Sequence, residues 1–518
     1  MNHPESPHKE LRPDALVKNL ARGWTSSHDG WAQELLKRWA AQLNARTDVR
    51  DVGEGVVQFV TYFSNIYLRT MNEVPCLLAG DSADIGPQVQ KFWKANYSQT
   101  SLPFILALSD AANEAARATL SADSCVILSA GQVCELLKTA RARHTLTGFI
   151  RQQISRRKLS PYDILIPALK PMFFGREEEL DRLLEQDFLS FSVAGPGGIG
   201  KTSLIKQYKM ERLLRNKGRT DNVIYLSCLA ADKTADGTAQ FIAMQIEDSR
   251  RSYRMTPPTL VNFLRTVRNA RGGPLDLLLD EVDEVCEGPA FQFLGEAARL
   301  KLCRLILCGR GRLLQMMFNS ASPLGRRLHL IHLGPLKEQP ARDLLVEPLT
   351  DLGFDLPDPG PLAERVLSLT GRLPHHIQLF AMNLAELAIK NKTNTISSEL
   401  LEELLGDLFI THFYKDTLLT LGDVKSRLIG LALVAEGRRQ ITPGFLSEVA
   451  MREGIKLDYN GANTLCLDLV INNLLIWDDN SFRFANEALF YYAEKIGFLS
   501  EALAEARQEW RRGPKAAA

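Results

Sequence analysis

The stretch FSVAGPGGIGKTS, Phe191 to Ser203, limits what this chain can fold into more than any other segment. An apolar run passes directly into a glycine-rich loop, and Lys201 and Thr202 then open a helix. The spacing, Gly195, four residues, Gly200-Lys201-Thr202, is that of a phosphate-binding loop. Gly195, Gly197, Gly198 and Gly200 accept backbone angles and close approaches that a Cβ forbids, so amide N–H groups converge on a phosphate at a helix N-terminus. Pro196, Ile199 and Ser203 complete the nucleotide-binding stretch. Lys201 is placed to neutralise β- and γ-phosphate oxygens, and the Thr202 hydroxyl to join the shell of a Mg²⁺ ion. A strand must enter such a loop and a helix must leave it, so the fold class is α/β.

A second segment, PLDLLLDEVDEV from Pro274 to Val285, supplies the acids that such a loop needs. A buried strand ending in Asp280-Glu281 delivers two carboxylates to the C-terminal edge of a sheet. Asp280 is the candidate metal ligand with Thr202, and Glu281 the candidate catalytic base that polarises the attacking water. Asp283 and Glu284 read as acids favoured at a helix N-terminus. The interval between the motifs leaves room for an extra strand. A third buried run, Cys303 to Cys308, ends at Gly309-Arg310, where an arginine can report on a γ-phosphate.

Composition excludes more than it selects. At 518 residues the chain holds several cores, and 45% apolar with 24% charged residues is ordinary for a globular protein. A net charge of +1 gives no bulk attraction to nucleic acid. The eight cysteines show no C-x-x-C pair and no clustering with histidine, so they read as buried thiols in a reducing cytoplasm. The first residues lack the apolar core of a signal peptide, and Val56 to Leu68 is too short and polar to span a bilayer. A cytoplasmic location without a membrane partner is the expectation.

Along the chain, residues 1–50 read as helical, with Leu16, Leu20, Trp24 and then Trp31, Leu35, Trp39, Leu43 on single faces. Residues 51–142 alternate strands (Pro75–Ala79, Leu102–Leu108, Cys125–Ser129) with helices, which predicts a small parallel α/β unit. Asp81 and Asp110 follow two of those strands. They match neither a restriction-type nuclease pattern nor a phosphoacceptor receiver, so the unit reads as one that docks or senses. Residues 143–170 carry a basic helix (Arg151, Arg156, Arg157, Lys158), read as a solvated face, and a proline-punctuated linker. Residues 171–338 form the ATPase core, 339–415 a helical lid, 416–500 a winged helix with helices at Val424, Pro443 and Ala462, and 501–518 a tail. The third of those helices, NGANTLCLDLVINN, has no lysine or arginine, and Asp468 repels phosphates, which argues against a DNA reader.

The block PMFFGREEEL, the P-loop, LLLDE, the strand ending in Arg310, HLGPLKEQPARDLL and TGRLPHHIQ together resemble the STAND ATPases, signal-transducing relatives of AAA-like P-loop NTPases close to the origin-recognition type. The resemblance covers roughly residues 171 to 500. It implies an AAA-like core with a helical lid and a C-terminal winged helix. It places Phe174, Gly175 and Arg176 against adenine and ribose, Pro374 of the lid against the base, and Arg310 as sensor. It makes His375 and His376 lid residues near the nucleotide, and Arg326 and Arg327 the place from which a neighbouring subunit receives an arginine finger. It implies a slow ATPase switch, ADP-bound and closed at rest, ATP-bound and homo-oligomeric when triggered, acting in signalling or anti-phage defence with a separate protein partner or sensor. The alternative is an origin-recognition or transposition-regulator ATPase that loads on DNA. Where such proteins carry a phosphate-touching histidine in the winged helix, this chain has Phe484-Ala485-Asn486. No internal repeat of 20–50 residues is visible, so sensing falls to the N-terminal unit or to a partner.

Overall fold

The computed structural model describes residues 12–22, 29–53, 55–69, 71, 73–82, 84–97, 102–121, 123–215, 222–247, 255–318, 322, 324, 327–421, 423–472, 474–478 and 481–512. Among them the strands form three sheets. The first joins β1 (Ala45–Gly53), β2 (Val56–Phe63), β3 (Val74–Ala79), β4 (Phe104–Ala107) and β5 (Val126–Ser129) in that order. β3, β4 and β5 are parallel, as the alternation predicts. β1 and β2 are antiparallel additions, so the unit is mixed, and the helical reading of residues 1–50 fails at Ala45. The reason is exposure: β1 is a half-exposed to exposed edge strand, and a strand solvated on both faces leaves no period-two apolar pattern. Helices Pro13–Ala21 and Asp29–Gln42 do form, burying Leu16, Leu20, Leu35 and Trp39; Trp24 lies outside the described residues.

The basic helix corrects a second expectation. Helix Ala142–Gln153 and the turn after it are only in part a solvated face: Arg157 is exposed, but Arg151 and Arg156 grip the C-terminal end of helix Glu338–Asp351. Arg151 Nη1 donates to the Asp351 carbonyl at 2.9 Å, and Arg156 donates to the carbonyls of Leu352 and Gly353, both at 3.1 Å. A helix end offers unpaired carbonyls and partial negative charge, and the guanidinium groups satisfy both. The N-terminal and lid cores consequently run together, with Leu146, Ile150 and Tyr162 in one apolar cluster with Leu344, Leu345 and Leu349.

The second sheet is β6 (Ser190–Ala194), β7 (Val223–Ser227), β8 (Leu275–Asp280), β9 (Cys303–Gly309) and β10 (Leu328–His332), parallel throughout in the order β10-β6-β9-β8-β7. β9 separates the P-loop strand β6 from the acid-bearing strand β8, so a gap one strand wide opens between the two motifs. Both sheet faces are buried: Leu275, Leu277 and Leu279 pack to one side and Leu278 to the other, which explains a continuous apolar run in place of alternation.

The lid follows as helices Glu338–Asp351, Pro359–Thr370, Pro374–Lys390, Ser398–Leu405 and Leu408–Leu419. The C-terminal module has helices Val424–Glu436, Pro443–Arg452 and Tyr459–Ile471 and a small antiparallel sheet of β11 (Gln440–Ile441), β12 (Leu475–Asp478) and β13 (Ser481–Phe484), then helices Ala488–Ile496 and Leu499–Arg512. The last helix replaces the expected tail from residue 501. It buries Ala502, Leu503 and Ala506, packs on helix Val424–Glu436, and is tied down by Arg507, which donates to both Glu453 oxygens at 2.7 and 2.6 Å. No helix among the described residues is long and apolar enough to cross a membrane.

Candidate active site

The C-terminal ends of β6, β8 and β9 open onto a cleft of about 860 Å³, roofed by the lid and the C-terminal module. Gly197, Gly198, Ile199, Gly200, Lys201, Thr202 and Ser203 line it, as do Asp280, Glu281 and Arg310. Gly198 has φ +69°, and a Cβ there would stand 2.9 Å from His375 Cβ, so the loop tip and the lid meet where only glycine fits. Lys201 Nζ donates to the carbonyls of Gly195 at 2.9 Å and Pro196 at 2.7 Å. Burial, with the nearby Arg310 cation adding to it, lowers its pKa to about 8. A partly desolvated ammonium that finds carbonyl oxygens and no carboxylate partner among the described residues is one that an anionic ligand would relieve.

Asp280 is the centre of the acid cluster. Its Oδ2 accepts from Thr202 Oγ1 at 2.6 Å and from Tyr225 OH at 3.1 Å, and its Oδ1 accepts the Glu281 backbone N–H at 3.0 Å. Glu281 is left-handed, φ +55° and ψ +47°, a conformation that costs a non-glycine residue of order 1–3 kcal/mol and clusters at functional sites. Its Oε2 is buried without a hydrogen-bond partner among the described residues. Asp283 is a helix N-terminal acid as expected, though for a helix distant in sequence: it accepts the backbone N–H of Arg310 at 2.7 Å and of Arg312 at 3.1 Å, opening helix Gly311–Phe318. Glu284 pairs on the surface with Lys233 and Arg312 at 3.0 and 3.1 Å.

The other predicted residues divide. Phe174 and Pro374 line the cleft, as do the apolar side chains of Met172 and Leu344. Gly175 does not; at φ +67° it lies against Pro340, 2.5 Å from where its Cβ would stand. Arg176 lines the cleft wall but is 6% exposed and spends its guanidinium on the Gly334 and Ile199 carbonyls and Glu179, a clamp between the P-loop and the chain after β10. Gly195 and Pro196 act through their carbonyls to Lys201. Arg326 lies outside the described residues, and Arg327 bonds the Gly295 carbonyl at 3.1 Å, away from the cleft. His375 reaches the cleft, whereas His376 is buried with Nδ1 3.2 Å from Tyr414 OH. Asp81 and Asp110 stand exposed beyond β3 and β4.

Two contributors were not assigned from sequence. Tyr225, a half-buried residue near the end of β7, is the second hydroxyl on Asp280; only its position near a strand end signals it. Asp468, noticed in the sequence as a charge unfavourable to DNA, lines the cleft with Ile471, and the Ile471 side chain fills the space that a Cβ on Gly311 would occupy, 2.0 Å away. Phe484-Ala485-Asn486 sit elsewhere: the Ala485 carbonyl lies 1.5 Å from where a Cβ on Gly371 would be, so this segment seals the back of the lid.

A parallel sheet that presents a lysine-bearing glycine loop on one strand and paired acids two strands away is a P-loop NTPase. Residues 159–408, a little under half of the chain, match the family model described as Novel STAND NTPase 1, so over that span the chain is similar to the STAND-type P-loop NTPases. No curated protein matches it. Among solved structures it is similar to the Walker-type ATPase of Pyrococcus abyssi, at 16% identity and TM-score 0.49, covering 64% of this chain and 99% of that one. It is similar also to the ORC2 protein of Aeropyrum pernix, at 16% identity and TM-score 0.44, covering 65% and 97%. A third likeness is to the Aeropyrum pernix ORC1 protein in complex with DNA, at 18% identity and TM-score 0.39, covering 66% and 95%.

Proposed function

We propose that the chain is an ATP-driven switch in which one nucleotide is gripped between the P-loop sheet, the lid and the C-terminal module. The observation that carries this reading is that a single cleft takes its walls from all three: Lys201 and Asp280 from the sheet, Pro374 and His375 from the lid, Asp468 and Ile471 from the C-terminal module. A ligand touching all three changes their relative free energies, which a ligand bound to the sheet alone does not.

Lys201 is read as the contact to the terminal phosphates, Glu281 as the base and Arg310 as the sensor. Glu281 lines the cleft on a strained backbone, and its Oε2, without a hydrogen-bond partner among the described residues, is the acceptor that a general base needs. The Thr202 hydroxyl and Asp280 carboxylate are hard oxygen donors of the kind Mg²⁺ takes, and two protein oxygens suit an ion that completes its shell with water and phosphate. Once bound there, Mg²⁺ would neutralise charge developing on the phosphates. Arg326 and Arg327 remain the candidates for a finger supplied to a neighbouring subunit.

A DNA-loading role is the weaker reading. Helix Tyr459–Ile471, the would-be recognition helix, carries no lysine or arginine and lends Asp468 to the cleft. The test is to purify the protein, identify the nucleotide that accompanies it, and measure its mass with ADP and with a non-hydrolysable ATP analogue. A compact species with ADP and an assembled one with the analogue are expected. Calorimetry finding no uptake of either nucleotide would end the proposal.

A further inference from the structure

Phe174, which lines the cleft, is backed by a residue from neither the P-loop sheet nor the lid. Tyr67 lies between β2 and β3 of the N-terminal unit, outside the matched residues 159–408. Its ring centroid is 4.9 Å from that of Phe174, with the planes inclined at 33°. Phe174 lines the cleft, as do the apolar residues Met172, Leu344 and Pro374, whose chemistry suits a planar base; Lys201, Asp280 and Arg310 line the same cleft and suit phosphates.

Tyr67 is itself held at two points. Its backbone N–H donates to Asp351 Oδ2 at 2.8 Å, and the Arg143 guanidinium lies 4.9 Å from its ring centroid. Arg143 in turn donates to Asp351 Oδ1 at 3.0 Å and Glu347 Oε2 at 2.7 Å. The Asp351 side chain is 5% exposed, so its carboxylate depends on these donors. Arginine, tyrosine and carboxylate form one fixture spanning the N-terminal unit and the lid, and its outermost ring presses on the cleft wall. Phe174 sits in the loop before helix Glu177–Glu185, and no regular element fixes it.

We infer that Tyr67 is a positioning residue for base recognition: it backs Phe174, so the N-terminal unit supplies part of the base-binding wall and is coupled to occupancy of the cleft. This rests on the nucleotide reading above. Coupling of this kind is reciprocal: whatever withdraws Tyr67 weakens base binding, and a bound base resists its withdrawal by the same factor. The N-terminal unit thereby has a route to and from the nucleotide that needs no contact with phosphate.

The test uses the full chain and two probes, ATP and inorganic tripolyphosphate, which offers phosphates without a base. Tyr67→Ala is expected to weaken ATP about three- to tenfold, the worth of one aromatic pair, and to leave tripolyphosphate affinity unchanged, while Tyr67→Phe restores ATP binding. If the alanine variant does not fold, Tyr67→Leu, which keeps an apolar side chain larger than alanine's but no ring, is expected to show the same selective loss. Unchanged ATP affinity, or equal loss of both probes in a folded variant, overturns the inference. A wild-type protein that binds neither probe fails the nucleotide reading instead.

Discussion

The backbone N–H of Glu281 donates to Oδ1 of its neighbour Asp280 at 3.0 Å, and this turn is what divides the two carboxylates. Asp280 keeps Oδ2 for Thr202 and Tyr225, while Glu281, at φ +55°, buries an unpartnered oxygen in the cleft wall. Glu281→Gln should therefore bind ATP much as the parent does and hydrolyse it about 10² to 10⁴ times more slowly, the usual share of a general base. Single-turnover kinetics decide it; unchanged turnover would remove Glu281 from the chemistry.

Lys201 is half-buried, and among the described residues its ammonium has carbonyl oxygens for hydrogen-bond partners, so its charge suits an anion. Lys201→Ala should weaken ATP by about 1.5 to 3 kcal/mol, the range of a charge-assisted hydrogen bond. Calorimetry at neutral pH measures this. Lost affinity without lost folding is expected, since the substitution removes a charge whose burial is itself unfavourable.

Asp468 contributes a carboxylate to the wall of a cleft read as accepting polyphosphate. Asp468→Asn should strengthen ATP binding by roughly 1 kcal/mol, an interaction between like charges at a part-buried site, with a smaller gain for ADP. Equal gains for both nucleotides would show that the carboxylate does not discriminate the terminal phosphate.

Arg156 satisfies the Leu352 and Gly353 carbonyls and lies 4.8 Å from the Phe354 ring centroid. Arg156→Ala leaves two helix-end carbonyls unpaired, so the seam between the N-terminal unit and the lid should lose about 1 to 3 kcal/mol. Limited proteolysis between residues 154 and 172 should accelerate while the P-loop sheet keeps its protection from amide exchange.

His376 is fully enclosed, and burial, with His375 adding to it, lowers its pKa to about 3. The native state then holds it neutral while the unfolded chain takes up a proton near pH 6.5, so the unfolded state binds more protons between those values. Stability from this group is complete above pH 6.5 and drains as pH falls toward 3, by up to about 1.4 kcal/mol per unit. Urea midpoints at stepped pH should show that slope reduced in His376→Gln. An unaltered slope would mean that the native lid admits the proton.

The P-loop, the acid pair and Arg310 were legible because each is a local pattern: a glycine spacing, or a run of apolar residues ending in a charge. The three parallel strands of the N-terminal sheet, β3, β4 and β5, were legible for the same reason. β1 was not, since a solvated edge strand has no apolar period, and the arginines of helix Ala142–Gln153 read as surface because the carbonyls they satisfy lie about two hundred residues away, as in Arg151 to Asp351, separated by 200 positions. Asp283 was recognised as a helix-terminal acid, but the helix it caps could not be named from the sequence.

What the sequence determined alone is the P-loop NTPase character, because the glycine spacing, the lysine and the adjacent acids are fixed by residue type and spacing within a few positions. Which surfaces close over that chemistry was decided only by the tertiary structure. Tyr67 against Phe174, Ile471 against Gly311 and Ala485 against Gly371 are contacts between segments far apart in the chain; the first packs on the apolar cluster that joins the N-terminal unit to the lid, and Ala485 on the one beneath the P-loop sheet.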